Sequence, residues 1–295
     1  MNTLTCSFCK LHNPRVESVF LTHPCPHEIS FIFHEQQEDN NDSVPIVAVH
    51  GLTRTAHDFD VIGHYLSKSF PVFALDMPGR GRSSNLESPG QYSYDTYISD
   101  CSKFLEHIGG TQFNWIGTSM GGIIGMLLAS QPESRIKKLV LNDIGYMVPR
   151  SALCTIATYV SQFGPYQSYE EAAYHLKKTY GAWNFQTEEE WDRFIQVTVK
   201  VVDDLYYLHY DPQIAESFVN ATADDKDIDL SMFWENVNIP VLLLRGENSD
   251  VLPRSVADKM AQKSNCTLIE IPDCGHCPNL LTDLQIAAIE SFLCE

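Results

Sequence analysis

The chain has 295 residues, 44% of them hydrophobic and 20% charged, with 20 Lys and Arg against 38 Asp and Glu for a net charge of −18. That length supports one or two domains with full apolar cores, and the composition is too apolar for a disordered chain. So large a negative excess repels phosphate backbones and anionic headgroups, which argues against nucleic-acid and lipid-surface partners.

Residues 1–20 show no basic segment followed by an apolar stretch of signal-peptide length, and no run approaches the ~18 apolar residues of a membrane helix. A cytoplasmic protein without membrane insertion is expected. Nine cysteines are scattered at 6, 9, 25, 101, 154, 266, 274, 277 and 294. In a chain this long they read as mostly reduced thiols. The spacing of Cys6, Cys9, Cys25 and His27 is too loose for a tetrahedral zinc site, so neither a metal nor a cofactor is expected.

Two runs, 17–23 and 27–35, flank Pro24-Cys25-Pro26 and predict an antiparallel hairpin. Short apolar runs rich in β-formers follow at 46–50, 71–76, 113–116, 138–142, 241–245 and 267–271. Segments with helical apolar spacing, such as 94–108 and 122–130, separate them. Continuous apolar strands alternating with helices predict an α/β fold, a mostly parallel central sheet with helices on both faces. The alternation lapses between 145 and 235, where the pattern turns helical, most clearly over 169–180 and 188–208. This insert holds nine of the thirteen tyrosines and carries six Lys and Arg against fifteen Asp and Glu. It reads as a helical cap (145–235) on a core of 1–144 and 236–295, laid over the carboxyl ends of the strands, where open α/β sheets bind ligands.

The strongest local signal is Gly117-Thr118-Ser119-Met120-Gly121, set where a strand meets a helix. A serine on such a strained turn projects its hydroxyl at a helix N-terminus, as a nucleophile requires. It needs a base to take its proton and a third group to orient that base. The next strand ends deliver candidates in the required chain order: Asp250 after 241–245, and His276 after 267–271. Asp250 is expected to orient His276. Asp143, at the end of 138–142, is the main rival, ahead of Glu247 and Asp273. An oxyanion hole needs two backbone N–H donors, which points to Met120 and to Leu52 in the loop after 46–50. His50 reads as a structural histidine of that loop. Arg54 is a candidate for a substrate carboxylate, with Asp58 or Asp60 as competing partners, and Tyr146 is the best-placed cap tyrosine for a substrate contact.

His50-Gly51, the run Asp76-Met77-Pro78-Gly79-Arg80-Gly81-Arg82-Ser83, the Ser119 turn, the Asp250 strand end and Gly275-His276-Cys277-Pro278 together resemble the capped serine-hydrolase branch of the α/β-hydrolase fold superfamily. The resemblance covers about 43–145 and 237–294. It implies an α/β-hydrolase fold, a Ser-Asp-His triad and an ester-like acyl bond of a small to medium molecule as substrate. Residues 76–83 become a structural turn. Ser119 departs from the aspartate nucleophile of epoxide hydrolases and haloalkane dehalogenases in the same superfamily. C–C bond hydrolases, lactonases, thioesterases and non-catalytic ligand receptors on this fold remain alternatives.

Overall fold

The computed structural model describes residues 14–38, 43–224 and 226–295. The Cys6 and Cys9 of the rejected zinc reading lie outside the described residues.

The chain runs through strands β1 (Arg15–Leu21), β2 (His27–His34), β3 (Ile46–Val49), β4 (Val72–Leu75), β5 (Phe113–Thr118) and β6 (Ile136–Asn142). Helices α1 (Asp60–Leu66), α2 (Tyr94–Ile108) and α3 (Met120–Ala129) connect them. Strands β7 (Met147–Val148), β8 (Val199–Val202), β9 (Leu205–Leu208) and β10 (Ile228–Asp229) lie in the insert, with helices α4 (Arg150–Val160), α5 (Tyr169–Tyr180), α6 (Glu188–Thr198), α7 (Gln213–Ala221) and α8 (Ser231–Glu235). The chain closes with β11 (Val241–Gly246), α9 (Arg254–Met260), β12 (Cys266–Ile271) and α10 (Asp283–Cys294).

Eight strands form one sheet in the order β1-β2-β4-β3-β5-β6-β11-β12. The β1–β2 hairpin is antiparallel, β2 joins β4 antiparallel, and every pair from β4 to β12 is parallel. Side chains alternate across a strand, so a strand covered on both sides divides its apolar residues between two cores. That division is seen here. Val47 and Val49 of β3, Leu139 and Leu141 of β6, and Val241 and Leu243 of β11 enter one cluster, with α2, α3 and α9. Ile46 and Ala48, Val140, and Leu242 and Leu244 enter the other, with α1 and α10.

The insert is not wholly helical. The periodicity over 188–208 predicts one long helix, but α6 ends at Thr198 and the rest is the β8–β9 hairpin. The β-branched run Val199, Val201, Val202 favours extended backbone. Asp203 and Asp204 then turn the chain with φ of 50° and 61°, a conformation that aspartate tolerates better than most residues.

The crossing of α3 over the sheet is set by close approach. A Cβ on Gly121 would lie 2.0 Å from the Val49 carbonyl oxygen, and one on Gly117 would lie 2.3 Å from the Gly121 oxygen. No side chain fits at either position without separating α3 from β3 and β5. Gly121→Ala is therefore expected to cost about 3 kcal/mol or more of stability. A urea titration would show this as a lower midpoint at unchanged slope, and a wild-type midpoint would refute the steric account.

Candidate functional site

Ser119 sits between β5 and α3 with φ of 50°. This left-handed turn is held by its own N–H donating to the Asn142 carbonyl at 3.0 Å and by the N–H groups of Gly122 and Ile123 donating to its carbonyl. The turn leaves Oγ 3.0 Å from His276 Nε2. His276 lies on the loop after β12, and its Nδ1 is 2.7 Å from Oδ2 of Asp143. With Nδ1–H donating to the carboxylate, Nε2 is left as the acceptor for the serine hydroxyl.

The carboxylate expected to meet His276 was Asp250; the one that meets it is Asp143. Asp250 is exposed and makes no hydrogen bond with His276. The sheet supplies the reason. β6 is the direct neighbour of β5, with Thr118 opposite Asn142, so the residue after β6 emerges beside Ser119. The turn after β11 lies one strand further along. It contributes donors instead of a carboxylate: Gly246 N–H donates to Asp143 Oδ1 at 2.8 Å and Ser249 Oγ to Oδ2 at 2.6 Å. Asp143 itself has φ of 56° and is fully buried. Glu247 is exposed and accepts from the Asp273 N–H, away from His276.

The loop after β3 is fastened on both sides of Leu52. His50, fully buried, donates from Nδ1 to the Gly51 carbonyl at 2.7 Å and accepts the Met77 N–H on Nε2 at 3.0 Å. Burial pushes its pKa down to about 3, so the ring is neutral and its tautomer set. Because a trans peptide points C=O and N–H in opposite directions, a Gly51 carbonyl held by His50 turns the Leu52 N–H the other way. The Leu52 carbonyl accepts Arg80 Nε at 2.8 Å. Met120 opens α3, where the first N–H groups have no intrahelical partner.

Leu52, Met120, Ser119 and His276 line one cavity of about 570 Å³, walled mainly by Leu, Ile and Tyr side chains. The insert forms much of that wall through Ile156 and Tyr159 of α4, Tyr180 of α5 and Phe218 of α7. It is joined to the loop after β3 by Thr53 Oγ1 and Tyr180 Oη at 3.0 Å, and by Arg54 Nη1 donating to Thr198 Oγ1 at 2.7 Å.

Of the two expected substrate contacts, Arg54 takes its competing partner and Tyr146 needs correction. Arg54 reaches the cavity wall, but its Nε and Nη2 grip the Asp58 carboxylate at 2.6–3.2 Å and its guanidinium stacks 4.0 Å above the Phe194 ring. Its charge is engaged within the protein. Tyr146 is buried beside Lys259, outside the cavity lining, because the chain after Asp143 turns towards α9. Cys274 and Cys277 flank His276 but are buried, and burial pushes Cys274 up to about 12 and Cys277 well above the ordinary thiol range, so neither is a reactive thiolate. Sequence reasoning missed Ser249 and Arg80 as partners of the site. Ser249 adjoins the favoured Asp250, whereas Arg80 carries no signal beyond its Gly-rich turn. Among the described residues, no group of three or more His, Cys, Asp or Glu could hold a metal ion.

A family model for the alpha/beta hydrolase fold matches residues 44–283. The chain is 35% identical over 268 residues to a 3-hydroxybutyrate-oligomer hydrolase of Cupriavidus necator, covering 88% of this chain and 91% of that protein. Among solved structures, an alpha/beta hydrolase from Novosphingobium aromaticivorans superimposes with a TM-score of 0.85 at 31% identity, over 94% of this chain and 98% of that one. A protein from Rickettsia typhi does so with a TM-score of 0.86 at 33% identity, over 95% and 98%.

The buried histidines give the fold a direction of pH dependence. Burial holds His50 down at about 3, His34 and His209 at about 4, and His175 below its ordinary value, whereas His27, bonded to Asp100, is raised. Below the unfolded value near 6.5, the unfolded chain takes up protons that the four lowered rings refuse, so stability falls as the pH falls towards 4. His27 works in the opposite sense but is one ring against four. Chemical denaturation at pH 7.5 and 5.5 should show a loss of about 1–3 kcal/mol on acidification. Equal or greater stability at the lower pH would contradict neutral burial of these rings.

Proposed function

The chain belongs to the alpha/beta hydrolase fold family, and from that premise we propose that it is a serine hydrolase that cleaves an ester-like acyl bond of a small to medium molecule through an acyl-enzyme. The observation that carries this reading is the bonded row Ser119 Oγ, His276 Nε2, His276 Nδ1, Asp143 Oδ2 at the foot of a largely apolar cavity. Ser119 attacks the carbonyl carbon as His276 takes its proton. The N–H groups of Leu52 and Met120 receive the oxyanion, and Asp143 stabilises the imidazolium. The tetrahedral intermediate collapses, His276 returns the proton to the leaving oxygen, and water repeats the sequence to free the acid.

The lining supports a substrate class. Arg54 and His276 are its lining residues able to carry positive charge, and Arg54 is neutralised by Asp58. A free carboxylate would have no counter-charge in the interior, so the buried part of the substrate is uncharged. An acidic end would remain at the mouth, where Gly90, Asn220 and Ala221 are exposed. Oligomers of 3-hydroxybutyrate, for which the Cupriavidus necator relative is named, meet these conditions. The 145–235 insert acts as the cap that selects them.

A fluorophosphonate probe should label Ser119 in the wild type and leave Ser119→Ala and His276→Ala unlabelled. Across p-nitrophenyl esters, hydroxybutyrate oligomers, lactones and acyl thioesters, Asp143→Asn should lower kcat by about 10³–10⁴-fold. Asp250→Asn should stay within about threefold of wild type. Absence of labelling in folded wild-type protein would defeat the reading, and a reversed order of the two aspartates would defeat the assignment of Asp143.

A further inference from the structure

Three arginines are buried among the described residues, and two of them meet carboxylates: Arg54 pairs with Asp58 and Arg245 with Glu270. Arg80 is 1% exposed and meets only neutral acceptors. Its Nε donates to the Leu52 carbonyl at 2.8 Å, its Nη1 to the Pro78 carbonyl at 2.7 Å and to Tyr97 Oη at 2.8 Å, and its Nη2 lies 3.6 Å from Met120 Sδ. The Tyr97 and Tyr92 rings lie 5.2 and 5.8 Å from the guanidinium carbon. Asp211 accepts from the Tyr92 hydroxyl and the Gln213 N–H instead of from Arg80.

A guanidinium keeps its charge when buried, and an uncompensated buried charge is among the costliest features a fold can carry. Packing alone does not require it, since an uncharged side chain of similar length could fill the same space. What distinguishes this position is whom it touches. Two of its four polar partners are residues 52 and 120, whose N–H groups receive the oxyanion in the function proposed above.

We propose that Arg80 is a positioning residue for the reaction at Ser119, one that aims the two oxyanion-hole donors and sets a fixed positive charge behind them. The inference rests on the serine-hydrolase reading. His50 anchors the peptide before Leu52 and Arg80 anchors the one after it, so both dihedrals of Leu52 are constrained and its N–H has one direction. Contact with Met120 Sδ ties the same guanidinium to the first residue of α3. Charge develops on the substrate oxygen only in the transition state, so a preorganised cation at this depth favours that state over bound substrate.

Steady-state kinetics on a neutral p-nitrophenyl ester with R80Q and R80K tests the proposal, beside the affinity of a boronic acid, which forms an anionic tetrahedral adduct on Ser119, and of an uncharged, unreactive substrate analogue. R80Q should lose about 10- to 100-fold in kcat with KM within about threefold. Boronate affinity should fall by a similar factor and analogue affinity should hold. R80K, which keeps the charge but not the fork, should recover part of kcat. Folded R80Q with kcat within twofold of wild type overturns the proposal, as does a loss shared equally by boronate and neutral analogue. If R80Q does not fold, R80K decides: a 3- to 10-fold lower kcat at constant KM supports the proposal, and wild-type kcat overturns it. A wild type that neither turns over nor takes a fluorophosphonate on Ser119 removes the underlying reading as well, whereas an active wild type with indifferent Arg80 variants removes this inference alone.

Discussion

The carboxylate of Asp143 is wholly removed from solvent, a state that costs several kcal/mol unless donors fill its lone pairs. Here they come from the Gly246 amide and the Ser249 hydroxyl at the end of β11 and from the His276 ring after β12, all on segments other than that of Asp143. Satisfying this one charge joins the loops after β6, β11 and β12, and through His276 it reaches the turn after β5. Those are four consecutive strands of the sheet. The constraint also explains the left-handed φ at both Ser119 and Asp143: each side chain must leave its strand sideways to meet the imidazole between them.

On the other side of β5, the loop after β3 is built on the same principle, with backbone carbonyls in place of a carboxylate. Its carbonyls at 51 and 52 are taken by His50 and Arg80, which leaves amides instead of carbonyls available to the cavity. The insert docks on this loop through Thr53–Tyr180 and through Arg54, which sits against Phe194 and bonds Thr198. Arg54 therefore spends its charge joining the insert to the core, and the cavity between them keeps an apolar lining. Burial of a bidentate arginine–carboxylate pair under an aromatic ring is tolerated because nearly every donor finds a partner.

Much of this arrangement was legible in the residues. The Gly-flanked Ser119, the His276 turn and the His50-Gly51 loop were placed by a local rule: a strand ending in small residues leaves a side chain at the sheet's carboxyl edge. The two-sided strands announced themselves by unbroken apolar runs, because period-two alternation vanishes when both faces are covered. The helical pattern over 188–208 misled for the opposite reason, since apolar spacing compatible with a helix did not outweigh the β-branched run at 199–202 and the Asp203-Asp204 turn. Tyr146 was misplaced because proximity along the chain says nothing about which way a side chain leaves its loop, whereas Arg54 does line the cavity but takes its competing partner, Asp58.

The sequence by itself determined which strand ends carry reactive groups, since those depend on neighbours within a few residues. Only the tertiary structure decided which aspartate meets His276. Asp143 and Asp250 both follow strands, and chain order favoured Asp250; what separates them is the lateral order β5-β6-β11, in which β6 lies beside β5 and pairs on its other side with a strand more than a hundred residues further along the chain. The same holds for Arg80. Its role arises from the company of Leu52 and Met120, 28 and 40 residues away, which no local pattern encodes.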